Sequence, residues 1–167
     1  MDILKTATDW AKAEMFSNSF FILFGFLFVA ASIGFWQLGK TEIAKAYVIP
    51  MLVAGILVLV IGFGLFFNNK YRVTKFEKDY HQDAPAFVQS EIERVDATLK
   101  EYKTVFTVIP VLIIAAALVI IFLNTPLWRA IGVTTITMLV ILMLVDGTAW
   151  DRIKEYKEQL VLVEIQE

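Results

Sequence analysis

The sequence predicts an all-α, polytopic membrane protein with four transmembrane helices and a cytoplasmic helical hairpin between helices 2 and 3. Three observations support this fold class: four long apolar runs, an unequal distribution of Lys and Arg between them, and a helical repeat in the polar segment at mid-chain. Each run holds roughly 20 residues, the length that crosses a ~30 Å hydrocarbon core as a helix. The chain is 58% hydrophobic, which is more apolar than is typical of soluble domains.

Residues 1–15 precede the first run and are predicted to form an amphipathic segment at the membrane interface. Their apolar residues, among them Ile3, Ala7 and Trp10, recur at helical spacings of three or four. Asp2 is placed to cap the start of a helix, because its carboxylate can accept a hydrogen bond from a free backbone N–H. A simple helical extension of the first span is the alternative.

The four apolar runs define a transmembrane bundle within residues 16–145. Only Asn124–Pro126 separates the third run from the fourth, so these two helices must be antiparallel neighbours. The link between the first two runs is nearly as short, and little protein therefore protrudes on that face of the membrane. The predicted spans are residues 16–38, 46–67, 105–123 and 127–145.

The polar segment 68–104 is predicted to form the cytoplasmic helical hairpin. Asp83 and Pro85 supply an N-cap and a first-turn proline, which together indicate where a new helix begins. After them, apolar residues alternate spacings of four and three, the pattern of a heptad seam. The charged residues between them, including Glu91 and Arg94, are typical of a solvated surface. We assign the seam to assembly or to partner binding; its residues are Val88, Ile92, Val95, Leu99 and Tyr102.

The positive charges set the orientation. Twelve of the 15 Lys and Arg residues lie in the N-terminal segment, in the middle segment and in residues 146–167, which are predicted to form a cytoplasmic C-terminal helix or tail. Only Lys40, Lys45 and Arg129 lie on the other side of four spans. The positive-inside rule then places both termini and the hairpin in the cytoplasm. The predicted location is the bacterial inner membrane.

Few polar residues lie within the runs or at their ends, and they are the candidate functional positions of the membrane domain. Arg129 opens the fourth run and Asp146 follows it, about 25 Å apart along one helix. Each is therefore predicted to form an ion pair at its own membrane interface. The hydroxyl groups of Thr134, Thr135 and Thr137 are interpreted either as a pore lining or as helix-packing groups.

No pattern in the sequence indicates enzyme chemistry. The chain has no Cys and a single His, His81, which excludes thiolate sites and multi-histidine metal sites within one chain. It contains no Gly-rich phosphate loop and no nucleophile elbow. We therefore predict no catalytic residue, no cofactor and no metal. A net charge of −2 provides no basic field, which argues against a nucleic-acid partner.

Two functions remain after these exclusions. The first is a non-enzymatic integral membrane protein that binds another protein, either as an accessory subunit of a membrane complex or as an immunity-type protector against a membrane-active toxin. Four spans with both termini inside resemble the topology of some immunity proteins against pore-forming bacteriocins, a similarity of topology alone. The alternative is an oligomeric membrane channel or pore-forming protein, lined by hydroxyl groups. Both functions involve the lipid bilayer and contact through helices, with a protein partner or by self-association.

Overall fold

The computed structural model describes residues 2–164, and every regular element in that range is an α-helix. The prediction of an all-α chain is confirmed. So is the presence of four helices that are long and apolar enough to cross a membrane. In chain order the helices are α1 (Ile3–Leu38), the short α2 (Glu42–Ala46), α3 (Val48–Gln82), α4 (Ala84–Phe122) and α5 (Pro126–Glu164).

Side-chain caps explain where two of the long helices begin. A carboxylate oxygen of Asp2 accepts a hydrogen bond from the backbone N–H of Lys5 at 3.1 Å. At the junction of α3 and α4, Asp83 accepts from the N–H of Ala86 at 3.0 Å, while its own N–H donates to the carbonyl of Asp79. This single residue satisfies backbone groups at the end of one helix and at the start of the next. The chain changes direction there.

The long helices continue well beyond the apolar runs. They contain 35 to 39 residues each, and are therefore about 50–60 Å long, compared with ~30 Å for a hydrocarbon core. The excess lies at the start of α1 and α4 and at the end of α3 and α5, and we call these four pieces the extension. The extension packs around one core, formed by Ile3, Ala7, Trp10, Ala11, Phe76, Phe87, Val88, Val95, Ile153, Tyr156 and Leu160.

The extension accounts for most of the polar sequence. Residues 3–15 are the first turns of α1, and their apolar face is buried in this core. Their position at a membrane interface stays a prediction, as does the cytoplasmic placement of the whole extension. The predicted C-terminal helix is the last part of α5, and residues 165–167 lie outside the described range. Of the predicted seam, Val88 and Val95 belong to this core, and Ile92, Leu99 and Tyr102 are partly buried and pack against the core.

In the apolar half of the structure, α1 and α3 approach each other closely at glycines. A Cβ atom at Gly55 of α3 would lie 3.0 Å from the carbonyl oxygen of Gly25 on α1. The hydroxyl of Ser32 also donates to the carbonyl of Val48 at 2.7 Å, which joins the same two helices near the start of α3. The outward faces expose large apolar side chains, such as Trp36, Val60 and Ile121. This exposure is expected of helices surrounded by lipid.

Two glycines on α3 provide a matched test of this packing. A Cβ atom at Gly62 would lie 2.9 Å from the backbone nitrogen of Ile22, whereas a Cβ at Gly64 meets no atom within 4 Å. We expect Gly62→Ala to lower the free energy of unfolding by about 1–3 kcal/mol, because an overpacked contact must shift. Gly64→Ala should leave stability unchanged or raise it slightly, since Ala favours a helix. Reversible unfolding in lipid bicelles measures both, and equal effects would contradict the observed contact between α1 and α3.

Candidate functional site

Polar side chains converge where the apolar runs meet the extension. Glu14, Ser17, Asn18 and Asn69 lie at this level and are almost completely buried, and Glu91 is buried one step further into the extension. A buried charge is costly unless a partner of opposite charge and hydrogen bonds compensate for lost hydration. The partners of these groups therefore define the chemistry of the region.

The first buried carboxylate joins the first helix to the last. The Nε atom of Arg152 donates to Oε1 of Glu14 at 3.0 Å, and an Nη atom of the same guanidinium donates to Oγ of Ser17 at 2.8 Å. Burial raises the pKa of Glu14, and the charge of Arg152 opposes that rise. The ion pair thus ties α1 to α5 just outside the predicted spans.

The second buried carboxylate joins α4 to α5. Arg94 donates two hydrogen bonds to Glu91, at 2.9 and 2.5 Å, in the bidentate geometry that suits a guanidinium and a carboxylate. The hydroxyl of Tyr156 donates to the same carboxylate at 3.0 Å. Burial and the neighbouring charge of Glu91 raise the pKa of Tyr156. The tyrosine therefore remains a hydrogen-bond donor at neutral pH.

Trp10 lies between these groups and contacts all three other long helices. Its ring stacks on the ring of Tyr156, with centroids 5.1 Å apart and planes inclined by 9°. The guanidinium carbon of Arg94 lies 4.5 Å from the Trp10 ring centroid, and that of Arg72 lies 6.0 Å from it. Arg72 donates to the amide oxygen of Asn69 at 2.9 Å. Burial and the charge of Arg94 lower the pKa of Arg72, because two like charges lie close together.

A cavity of about 190 Å³ opens beside Trp10, and we call it the junction cavity. Three buried donors on its lining residues have no hydrogen-bond partner among residues 2–164: Nε1 of Trp10, Nδ2 of Asn18 and an Nη of Arg94. Its lining residues come from all four long helices and are Trp10, Glu14, Asn18, Leu65, Asn68, Asn69, Arg72, Arg94, Thr98, Glu101, Tyr102, Val145, Asp146, Ala149 and Ile153.

The predicted interface charges occupy different surroundings. Asp146 borders the junction cavity, whereas Arg129 is exposed at the opposite end of α5. Within the part of the chain that the structure describes, neither side chain lies within 4.0 Å of a group of opposite charge. Their pairing at membrane interfaces stays a prediction.

The three threonines do not share one surface. Thr134 is 2% exposed and its hydroxyl has no partner among the described residues. Thr137 is exposed and donates to the carbonyl of Val133 at 2.9 Å. Thr134 and Thr135 border a cleft of about 470 Å³ between α3 and α5, which we call the apolar cleft. It is lined by Ile49, Pro50, Val53, Ala54, Leu57, Leu127, Ile131, Thr134, Thr135 and Met138.

Of the residues that line the junction cavity, sequence patterns singled out Asp146 as an interface charge and Tyr102 as a seam residue, but not the buried polar residues. The expectation that Glu91 belongs to a solvated surface is wrong, since the residue is 5% exposed. Its spacing from Arg94 resembles that of an ordinary surface pair, and the sequence does not show that Tyr156 approaches it from α5. Polar residues directly flanking an apolar run, such as Glu14 and Asn69, were the available signal. Amides and acids at that position are hidden only if neighbouring helices continue beyond the membrane.

The described residues contain no group of three or more His, Asp or Glu that could hold a metal ion. Their geometry offers two places for a ligand: a polar cavity whose lining residues carry three unpartnered donors, and a largely apolar cleft bordered by two threonines. No protein-family model, curated protein or solved structure matches the chain. The junction cavity and the apolar cleft are therefore the candidate binding sites of the protein.

The buried ion pair can be compared with an exposed one. We expect Arg152→Gln to lower the free energy of unfolding by about 3 kcal/mol, because it leaves Glu14 buried without its charge partner. The control is Lys75→Gln, which removes an exposed pair with Asp79 and should change stability by less than ~1 kcal/mol. Unfolding in bicelles measures both. Similar losses in the two variants would show that the Glu14 pair contributes no more than a surface charge.

Proposed function

We propose that the chain is a non-enzymatic membrane protein that binds another membrane protein, whose transmembrane helix docks in the apolar cleft. The observation that supports this most directly is the hydroxyl of Thr134. It is buried beside an open, largely apolar cleft that Thr135 also borders, and it has no hydrogen-bond partner among residues 2–164. A hydroxyl without a partner in an apolar environment is unfavourable, so an occupant that supplies an acceptor is favoured.

A helix suits this cleft better than a lipid chain does. An acyl chain fills apolar space but offers no acceptor to a hydroxyl. A transmembrane helix offers both, because its apolar side chains fill the space and its carbonyl or polar side-chain oxygens accept hydrogen bonds. Ala54 on the α3 wall is small, which allows a helix backbone to approach. The cleft therefore favours a protein partner.

The same arrangement suits either form of the proposed function. An accessory subunit and an immunity-type protector both act by occupying a surface of another membrane protein, without chemistry of their own. We further propose that the extension lies in the cytoplasm, with the protein in a bacterial inner membrane. The positive-inside rule supports this orientation, because twelve of the 15 Lys and Arg residues belong to the extension.

The channel alternative receives less support from the threonines. A hydroxyl-lined pore requires its hydroxyls to face one common surface. Thr137 bonds to its own helix, while Thr134 and Thr135 border the cleft. The three hydroxyl groups thus do not face one common surface within a chain. This favours the binding function over a pore lined by all three.

Site-specific photocrosslinking in the native host tests the proposal. A photoreactive residue replaces Val53 or Met138 in the cleft, and a matched control replaces Ile114, an exposed residue of α4. We expect one discrete adduct from both cleft positions and none from the control. Mass spectrometry should locate the crosslinked peptide in a transmembrane helix of a different protein.

Two substitutions of Thr134 test whether its hydroxyl contributes to partner binding. Thr134→Val keeps the shape of the side chain but removes the donor, and should reduce adduct yield about three- to tenfold, as expected for one helix-to-helix hydrogen bond. Thr134→Ser keeps the donor and should retain the adduct. Adducts that are equally strong at position 114, that are insensitive to Thr134→Val, or that join only two copies of this chain would overturn the proposal.

A further inference from the structure

The junction cavity is separate from the apolar cleft, and the two share no lining residue. Its lining includes three buried donors that lack partners among the described residues, on Trp10, Asn18 and Arg94. Trp10 and Asn18 are 8% and 4% exposed, so bulk water does not reach most of their surface. Buried donors are almost always satisfied by an acceptor in the native state. An occupant with acceptor oxygens would supply hydrogen-bond partners beside these three residues.

Two positively charged side chains lie beside Trp10 at this cavity. The guanidinium carbons of Arg72 and Arg94 both lie within 6.0 Å of the Trp10 ring centroid. Arg94 is compensated by Glu91, whereas Arg72 has no carboxylate within 4.0 Å among the described residues and bonds only to the amide of Asn69. Guanidinium groups beside further N–H donors are the usual recognition elements for phosphate oxygens.

The cavity also presents negative charge. Glu14, Glu101 and Asp146 border it. Glu14 is engaged by Arg152, and Glu101 is exposed. Asp146 is half-buried and lies within 4.0 Å of no positive group among residues 2–164. An occupant that carries only negative charge would leave this carboxylate unpaired, whereas one that also carries an ammonium group would pair with it.

The position of the cavity agrees with such an occupant. Its residues lie near the ends of the apolar runs: Asn18 near the start of the first, Leu65 near the end of the second, and Asp146 directly after the fourth. If the apolar runs span the hydrocarbon core, the cavity lies at the depth of the lipid headgroups. Its volume of about 190 Å³ corresponds to roughly six water molecules, which is comparable in bulk to a small headgroup.

We propose that the junction cavity binds a phosphoethanolamine group. The phosphate oxygens accept hydrogen bonds from Arg72, Arg94, Trp10 and Asn18, and the ammonium donates to Asp146. The same chemistry is available from the headgroup of phosphatidylethanolamine in the surrounding leaflet and from soluble phosphoethanolamine, and the test separates the two sources.

The test uses the full chain in nanodiscs with three lipid compositions: phosphatidylcholine alone, or phosphatidylcholine with one-fifth phosphatidylethanolamine or phosphatidylglycerol. Native mass spectrometry measures which lipid remains bound when the disc is removed. Wild type should retain phosphatidylethanolamine in preference to both other lipids. In a separate arm, soluble phosphoethanolamine is added to protein in phosphatidylcholine discs. Binding of this soluble probe without lipid retention would assign the site to a soluble ligand.

Paired variants distinguish a built site from an unoccupied cavity. Arg72→Gln and Trp10→Phe remove donors and should each lower phosphatidylethanolamine retention, by about tenfold or more for the charged group. Asp146→Asn should shift the preference from phosphatidylethanolamine towards phosphatidylglycerol, because the ammonium loses its partner while the phosphate donors remain. This change of preference cannot result from misfolding. Lys75→Gln, at an exposed position away from the cavity, is the matched control and should leave retention unchanged.

Two results would overturn the proposal. One is the absence of any preference for phosphatidylethanolamine together with the absence of soluble phosphoethanolamine binding, which would mean that water alone fills the cavity. The other is a preference that Arg72→Gln, Trp10→Phe and Asp146→Asn all leave unchanged, which would place the bound lipid elsewhere on the protein.

Discussion

The contact of Trp10 with one side chain from each of the other three long helices is the interaction on which the extension depends. Arg72 approaches the ring from α3, Arg94 from α4 and Tyr156 from α5. An aromatic ring can hold both an aromatic neighbour and cations, because it is apolar yet carries a negative π face. The contact thereby holds α1 and α5 together outside the apolar spans, although these helices are far apart in the sequence.

Two carboxylates also lie in the interior of the protein. Glu91 and Glu14 are almost completely buried, so each is paired with an arginine, and Glu91 also accepts a hydrogen bond from Tyr156. An apolar seam alone permits helices to slide past one another by a turn. The hydrogen bonds that cross between helices, from Arg152 to Glu14 and from Tyr156 to Glu91, are directional. We infer that they select the helix register of the extension.

The proposed binding places lie along the same helix. Thr134 in the apolar cleft and Asp146 at the junction cavity are twelve residues apart on α5, or about 18 Å at the rise of a helix. Such a continuous helix is stiff over this distance. An occupant of the cleft and an occupant of the cavity would thus both contact α5. In both places α3 lies opposite α5, and α3 packs closely on α1 at glycines.

The sequence by itself determined the class of the protein: the length and composition of the apolar runs are local properties, and so are the caps at Asp2 and Asp83. It also identified the inward face of α4, because the spacing of Val88 and Val95 already marks one side of a helix. Only the tertiary structure decided which polar residues are buried. In the sequence, Glu91 and Glu14 resemble ordinary surface or flanking acids. In the structure they bond to Tyr156 and Arg152 of α5, which are more than sixty residues away along the chain. Burial and pairing of charge depend on neighbours in space, and no local pattern of spacing or composition encodes which helix supplies them.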